Sequence, residues 1–152
     1  MKCPMRFLAC CRRGVRRMLD AVDMERWVAE ATAARSKAYA PYSQFAVGAA
    51  LVATDGRVFQ GCNVENLSFG LTMCAERVAI GQAVAAGCRD FRTIVIVADT
   101  VEPISPCGAC RQVLAEFNPQ LEMVLCTISG NRVVYSLGDL LPRAATGILD
   151  RR

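Results

Sequence analysis

The eight residues RTIVIVAD, Arg92–Asp99, limit the fold more than any other part of the chain. Every residue from Ile94 to Ala98 is apolar, with no alternation of polar positions. Such a run reads as a strand buried on both faces, which requires a sheet covered by helices on either side.

Helical and extended patterns alternate around that strand. From Leu19 to Tyr39 the residues Ala21, Val22, Met24, Val28, Ala31, Ala34 and Ala38 recur at helical spacing, and Pro41 ends the run. VGAALVA (47–53) and RVFQGCN (57–63) read as strands joined through Thr54, Asp55 and Gly56, a hairpin signature. NVENLSFGLT (63–72) is a polar loop of the kind that carries function. A second helix is expected from Met73 to Ala86, closed by Gly87. For a third, Ser105 suits the N-cap and Pro106 the first turn, with Asn118 and Pro119 as its end. LEMVLCTI and RVVYSL add two strands around Ser129, Gly130 and Asn131. The order α-β-β-α-β-α-β-β predicts an α/β fold with one five-stranded mixed sheet and helices on both faces. A length of 152 residues fits a single domain. That domain is expected over 19–142, after a basic N-terminal extension over 1–18 and before a C-terminal tail over 143–152.

The net charge of +4 is concentrated at one end. Residues 1–20 carry six basic residues and one acid, whereas the other 132 carry 12 basic and 13 acidic residues, a net of −1. A near-neutral body argues against a nucleic-acid-binding surface on the fold. No apolar run approaches the roughly 18 residues that span a bilayer, and no secretory signal follows the basic start. A soluble cytoplasmic protein is expected.

Nine cysteines and no histidine narrow the chemistry. The odd thiol count is read as reduced and intracellular, with some sulfurs serving a metal. Ser-His-Asp and Cys-His catalysis are excluded, and any zinc site must be rich in cysteine. Cys107 and Cys110 lie three residues apart near one helix start, so their sulfurs share a face, and Cys74 opens another helix. Zinc binds the thiolate, which the positive end of a helix favours. A fourth, structural ligand could come only from Cys62, since Cys88 falls at the far end of its helix and Cys126 reads as a buried strand residue. Three ligands and an open position are what a catalytic zinc requires.

Glu76 bears on that choice. Alone, an acid in a first turn merely complements the helix dipole. Beside an open zinc position it can move protons between water and substrate. Cys74-Ala75-Glu76 followed by Pro106-Cys107-Gly108-Ala109-Cys110 has the layout of the zinc deaminases. Arg77 is a candidate to draw negative charge from three thiolates, and Arg111 is a second.

PYSQFAVGAALV, GCNVEN, CAERVAI and ISPCGACRQVLAEF closely resemble the small cytidine deaminases that act on free nucleosides, over roughly Ala38 to Pro142. The resemblance implies a three-layer αβα sandwich, a homotetramer and one zinc per subunit. It implies Cys74, Cys107 and Cys110 as zinc ligands and Glu76 as proton shuttle. Asn63 and Glu65 would hold the ribose hydroxyls, and Phe45 would stack on the pyrimidine. The implied function is hydrolytic deamination of cytidine and 2′-deoxycytidine in pyrimidine salvage, with the blasticidin S deaminases as the nearest rival. Two departures stand out. Leu140-Leu141-Pro142 precedes RAATGILDRR, which lacks the aromatic that often closes the pocket from a neighbouring subunit, so Phe69 is the aromatic left to offer across an interface. The extension with Cys3, Cys10 and Cys11 lies outside the family core.

Overall fold

Residues 22–144 are described in the computed structural model of the chain, so the expected extension over 1–18 and all but the start of the expected tail lie outside them. The elements are α1 over 22–35, β1 (Val47–Ala53), β2 (Val58–Cys62), α2 (Ala75–Ala85), β3 (Phe91–Ala98), α3 (Gly108–Phe117), β4 (Glu122–Thr127), β5 (Arg132–Ser136) and α4 (Leu137–Leu140). A 3₁₀ turn, Phe69–Leu71, interrupts the loop before α2. The strands form one five-stranded sheet in the order β2-β1-β3-β4-β5. Only β3 and β4 are parallel, and the other three pairings are antiparallel. A parallel pair needs a crossover connection, and α3 supplies it. The apolar run is thus the central strand, as its composition requires.

Period-two alternation sorts the strand residues onto two cores. Ala49, Leu51, Ile94, Ile96, Met123 and Leu125 pack with Ala75, Ala79, Ile80, Leu114 and Ala115 under α2 and α3. Ala50, Val52, Val95, Val97, Val124 and Cys126 pack with Trp27 and Ala31 under α1. The layers are α1, sheet, and α2 with α3: an αβα sandwich. Cys126 is the buried strand residue expected of it, and Cys88 is buried in the larger core at the far end of α2.

Two glycines let helices approach the sheet on opposite sides. A Cβ on Gly61 would stand 2.1 Å from the Ala75 carbonyl oxygen of α2, and one on Gly48 would stand 2.0 Å from the Ala31 carbonyl oxygen of α1. Gly61 therefore fixes the depth of the first turn of α2, immediately beyond Cys74.

Helix ends differ from their sequence-based limits. The first helix stops at 35 rather than Tyr39. The reason is that Tyr39 donates its N–H to the Asn63 carbonyl at 3.0 Å and accepts from the Glu65 N–H at 2.8 Å. Its backbone belongs to an extended bridge with the NVEN segment. The third helix starts two residues later than expected. Cys107, not Ser105, is the N-cap, with extended backbone at φ −64° and ψ 163°. Proline's fixed φ suits polyproline backbone as well as a helix, so Pro106 does not force the helix to begin. The short α4 was not anticipated; it carries a capping box between Ser136 and Asp139.

Candidate metal centre

Cys74 and Cys107 occupy equivalent places, since each is the N-cap of its helix. N-cap side chains usually turn back onto the helix to accept a backbone N–H. Neither cysteine does so, and both sulfurs face outward to each other at 3.9 Å. Cys110 completes the group from the first turn of α3, and all three sulfurs lie within 4.8 Å of one another. This is the only such cluster of metal-binding groups among the described residues. Cys62 is not in it, because its thiol is directed to the Lys37 carbonyl at 3.5 Å. The four-cysteine structural arrangement is therefore not formed.

The donor set fits zinc on two grounds. Tetrahedral ligands at a zinc–sulfur distance of about 2.3 Å sit roughly 3.8 Å apart, close to the 3.9 Å between the Cys74 and Cys107 sulfurs. The electrostatics of the sulfurs also suit a cation. Cys74 is held down to about 5, first by the Cys110 thiol that donates to it and then by the Arg77 guanidinium. Cys110 is pushed up, because its proton is shared with the Cys74 sulfur and because burial and the Glu76 charge oppose its ionisation. One thiolate forms easily and further ones are opposed. A divalent cation relieves that opposition.

Glu76 sits two residues into α2 and is only 4% exposed. Burial raises its pKa above the usual carboxylate range, and the nearby Cys74 charge adds to the shift. Arg77 donates from Nη2 to the Thr72 carbonyl at 2.9 Å and reaches the Cys74 sulfur at 3.8 Å. Its anchor on Thr72 was not visible in the sequence. Arg111 faces elsewhere: its Nη1 donates to the Leu140 carbonyl at 2.6 Å, so it holds α4 and does not serve the sulfurs.

The remaining candidates lie in the two loops joined by the Tyr39 bridge. Asn63 is 8% exposed; its Oδ1 accepts from the Val47 N–H at 2.8 Å and its Nδ2 donates to the Phe45 carbonyl at 2.7 Å. Glu65 accepts from the N–H groups of Tyr42 at 2.9 Å and Ser43 at 3.2 Å, and from the Ser43 hydroxyl. Its carboxyl is held below the usual range, chiefly by that hydroxyl. Phe45 is 37% exposed, leaving ring surface available. Phe69 is more exposed, and its ring meets Tyr42 edge-on at 5.9 Å within the same chain.

An αβα sandwich with three thiols at two helix starts and a buried carboxylate beside them defines a class, the zinc hydrolases with a deaminase-type centre. Comparison with known proteins narrows it further. Residues 22–127 match the family described as the cytidine and deoxycytidylate deaminase zinc-binding region, and the chain belongs to that family. Zinc is accordingly its cofactor. A cytidine deaminase of Sporosarcina psychrophila is 48% identical over 124 residues, covering 81% of this chain and 91% of its own. One from Halalkalibacterium halodurans is 48% identical over 126 residues, covering 82% and 96%. The crystal structure of the Burkholderia pseudomallei cytidine deaminase superposes with a TM-score of 0.77 at 57% identity, covering 79% of this chain and 97% of that one.

Proposed function

We propose that this enzyme hydrolyses cytidine and 2′-deoxycytidine to uridine and 2′-deoxyuridine with release of ammonia, as a step of pyrimidine salvage. The observation that carries the proposal is the placement of Glu76, buried and raised in pKa, next to the three-sulfur cluster. Cys74, Cys107 and Cys110 hold one zinc per subunit. When bound, zinc makes water nucleophilic at neutral pH. Glu76 accepts a proton from the attacking water and delivers it to N3 of the base as the C4–O bond forms. It then carries the second proton to the leaving amine, so that the C4–N4 bond breaks and a C4 carbonyl remains. A carboxyl with a raised pKa suits a group that must hold a proton and release it within each turnover. Arg77 withdraws charge from Cys74, which restores the acidity that three thiolates would otherwise remove from the metal.

Phe45 stacks on the pyrimidine, and Asn63 and Glu65 hold the ribose hydroxyls. The ionised Glu65 repels a 5′-phosphate, which selects nucleosides over nucleotides. The exposed apolar side chains around this site, Leu67, Phe69, Leu71 and Met73, suit burial between copies, and we assign a homotetramer acting in the cytoplasm. No helix among the described residues is long and apolar enough to cross a membrane. The catalytic domain is assigned to 19–142.

Loss of cytidine absorbance, measured with zinc quantified, is the test. Turnover of cytidine with one zinc per chain, and deoxycytidylate used at least tenfold less efficiently, is expected. No turnover by a fully zinc-loaded protein overturns the substrate assignment, and activity on blasticidin S in its place would move the substrate to that class.

A further inference from the structure

The loop 41–45 is held in an unusual shape by hydrogen bonds to Glu65, Asn63 and its own backbone, and one hydroxyl sits at its centre. Ser43 Oγ donates to Glu65 Oε1 and accepts the Phe45 N–H at 3.0 Å. A hydroxyl has a single proton to donate. An ionised carboxylate can only accept, so the Ser43 proton goes to Glu65 while the same oxygen accepts the Phe45 N–H. The chain from Phe45 through Ser43 to Glu65 thus runs in one direction.

The carboxylate is equally constrained. Of about four lone-pair sites on a carboxylate, three are taken by the Tyr42 N–H, the Ser43 N–H and the Ser43 hydroxyl. The Tyr42 and Ser43 amides share Oε2, so the remaining site lies on Oε1, the oxygen oriented by the hydroxyl. Between Ser43 and Phe45, Gln44 adopts φ +57°, which non-glycine residues seldom do. Its Nε2 is tied to the Pro41 carbonyl at 2.8 Å. A left-handed residue next to a recognition residue is stable only where surrounding bonds enforce it. Here the Gln44 N–H donates to the Ala40 carbonyl at 3.1 Å, the Pro41 contact holds its side chain, Ser43 ties the neighbouring Phe45 N–H, and Asn63 secures the far end through the Phe45 carbonyl.

We infer that Ser43 is a positioning residue for substrate binding: its hydroxyl sets Glu65 Oε1 for the sugar and Phe45 for the base as one unit. The inference rests on the proposed roles of Glu65 and Phe45. It predicts that the two recognition elements are energetically coupled although their side chains need not touch.

Steady-state kinetics on the zinc-loaded enzyme test this, using Ser43→Ala, Ser43→Thr and Glu65→Gln with cytidine and 2′,3′-dideoxycytidine as substrates. With cytidine, Ser43→Ala is expected to raise KM about tenfold, the scale of one hydrogen bond to a charged group, while kcat changes less than threefold. Ser43→Thr keeps the hydroxyl and should restore KM to within about threefold of the parent. In the Ser43→Ala, Glu65→Gln double variant the effects should be less than multiplicative, because both changes break the same link. With the dideoxy substrate, which offers Glu65 no hydroxyl, the Ser43→Ala penalty should shrink to about threefold, the part carried by Phe45. A penalty equal for both substrates, multiplicative double-variant effects, or a threonine variant no better than alanine overturns the inference. If Glu65→Gln leaves KM for cytidine unchanged, the sugar-binding reading itself has failed. A Glu65→Gln effect with a silent Ser43→Ala removes the Ser43 role alone.

Discussion

The two faces of the sheet are built alike and do different work. Both bury alternate residues of the same strands, and both bring a helix onto a strand glycine too close for any side chain. Yet Cys74, Glu76, Arg77, Cys107 and Cys110 all belong to the face covered by α2 and α3 or to its helix starts. The α1 face holds Trp27 over a smaller valine-rich core, with Arg92 stacked on the indole at 4.6 Å, and among the described residues it adds no sulfur to the three-cysteine cluster. The cause is topological. Among the described residues, only the α2–α3 side brings two helix N-termini together, so there two N-cap positions point sulfurs at a common centre. The lesson is that a site needs converging helix starts, whereas a core needs only alternation.

The sharpest way to separate the faces is through chemistry. Glu76→Gln should lower kcat by about 10²–10⁴-fold, the range for general acid–base catalysis, with zinc content and melting temperature unchanged. Loss of zinc in that variant would mean that Glu76 shapes the metal site and that its proton role is unproven. Core truncations come next. Leu125→Ala, in the larger core, should cost about 2–5 kcal/mol by denaturant unfolding. Val124→Ala, its neighbour on the α1 face, should cost about 2 kcal/mol. The reverse order would show that the α1 layer, not the α2–α3 layer, is the main source of stability.

The glycine pair compares the faces at equal chemistry. Gly61→Ala and Gly48→Ala should each cost about 1–3 kcal/mol through overpacking. Gly61→Ala displaces the first turn of α2 and should also lower zinc affinity and kcat. Gly48→Ala displaces α1 and should leave kcat per bound zinc within about threefold. Metal titration with parallel activity assays distinguishes them, and equal losses of zinc affinity would erase the contrast. The smallest effect belongs to the Arg132–Glu25 pair on the α1 side, at 3.0 Å with Glu25 largely exposed. Glu25→Gln should change stability by no more than about 1 kcal/mol, as exposed ion pairs usually do.

The sequence by itself determined the central strand, the five-stranded sheet with helices on both sides, and the residue types of the centre. Alternation, apolar runs and turn residues are local signals, and Asp55, Gly56 and Gly130 mark the hairpins where expected. The lack of histidine requires any zinc site to be rich in cysteine. What only the tertiary structure decided were matters of competition between distant groups. Ser105 had the right chemistry for a cap, yet the chain stays extended to Cys107. Cys62 and Arg111 were near enough in sequence to serve the metal, yet the Lys37 and Leu140 carbonyls hold them. The tie between Ser43 and Glu65 spans 22 residues. A chain records which bonds each residue can make; which bond it does make depends on what folding brings within about 3 Å of it.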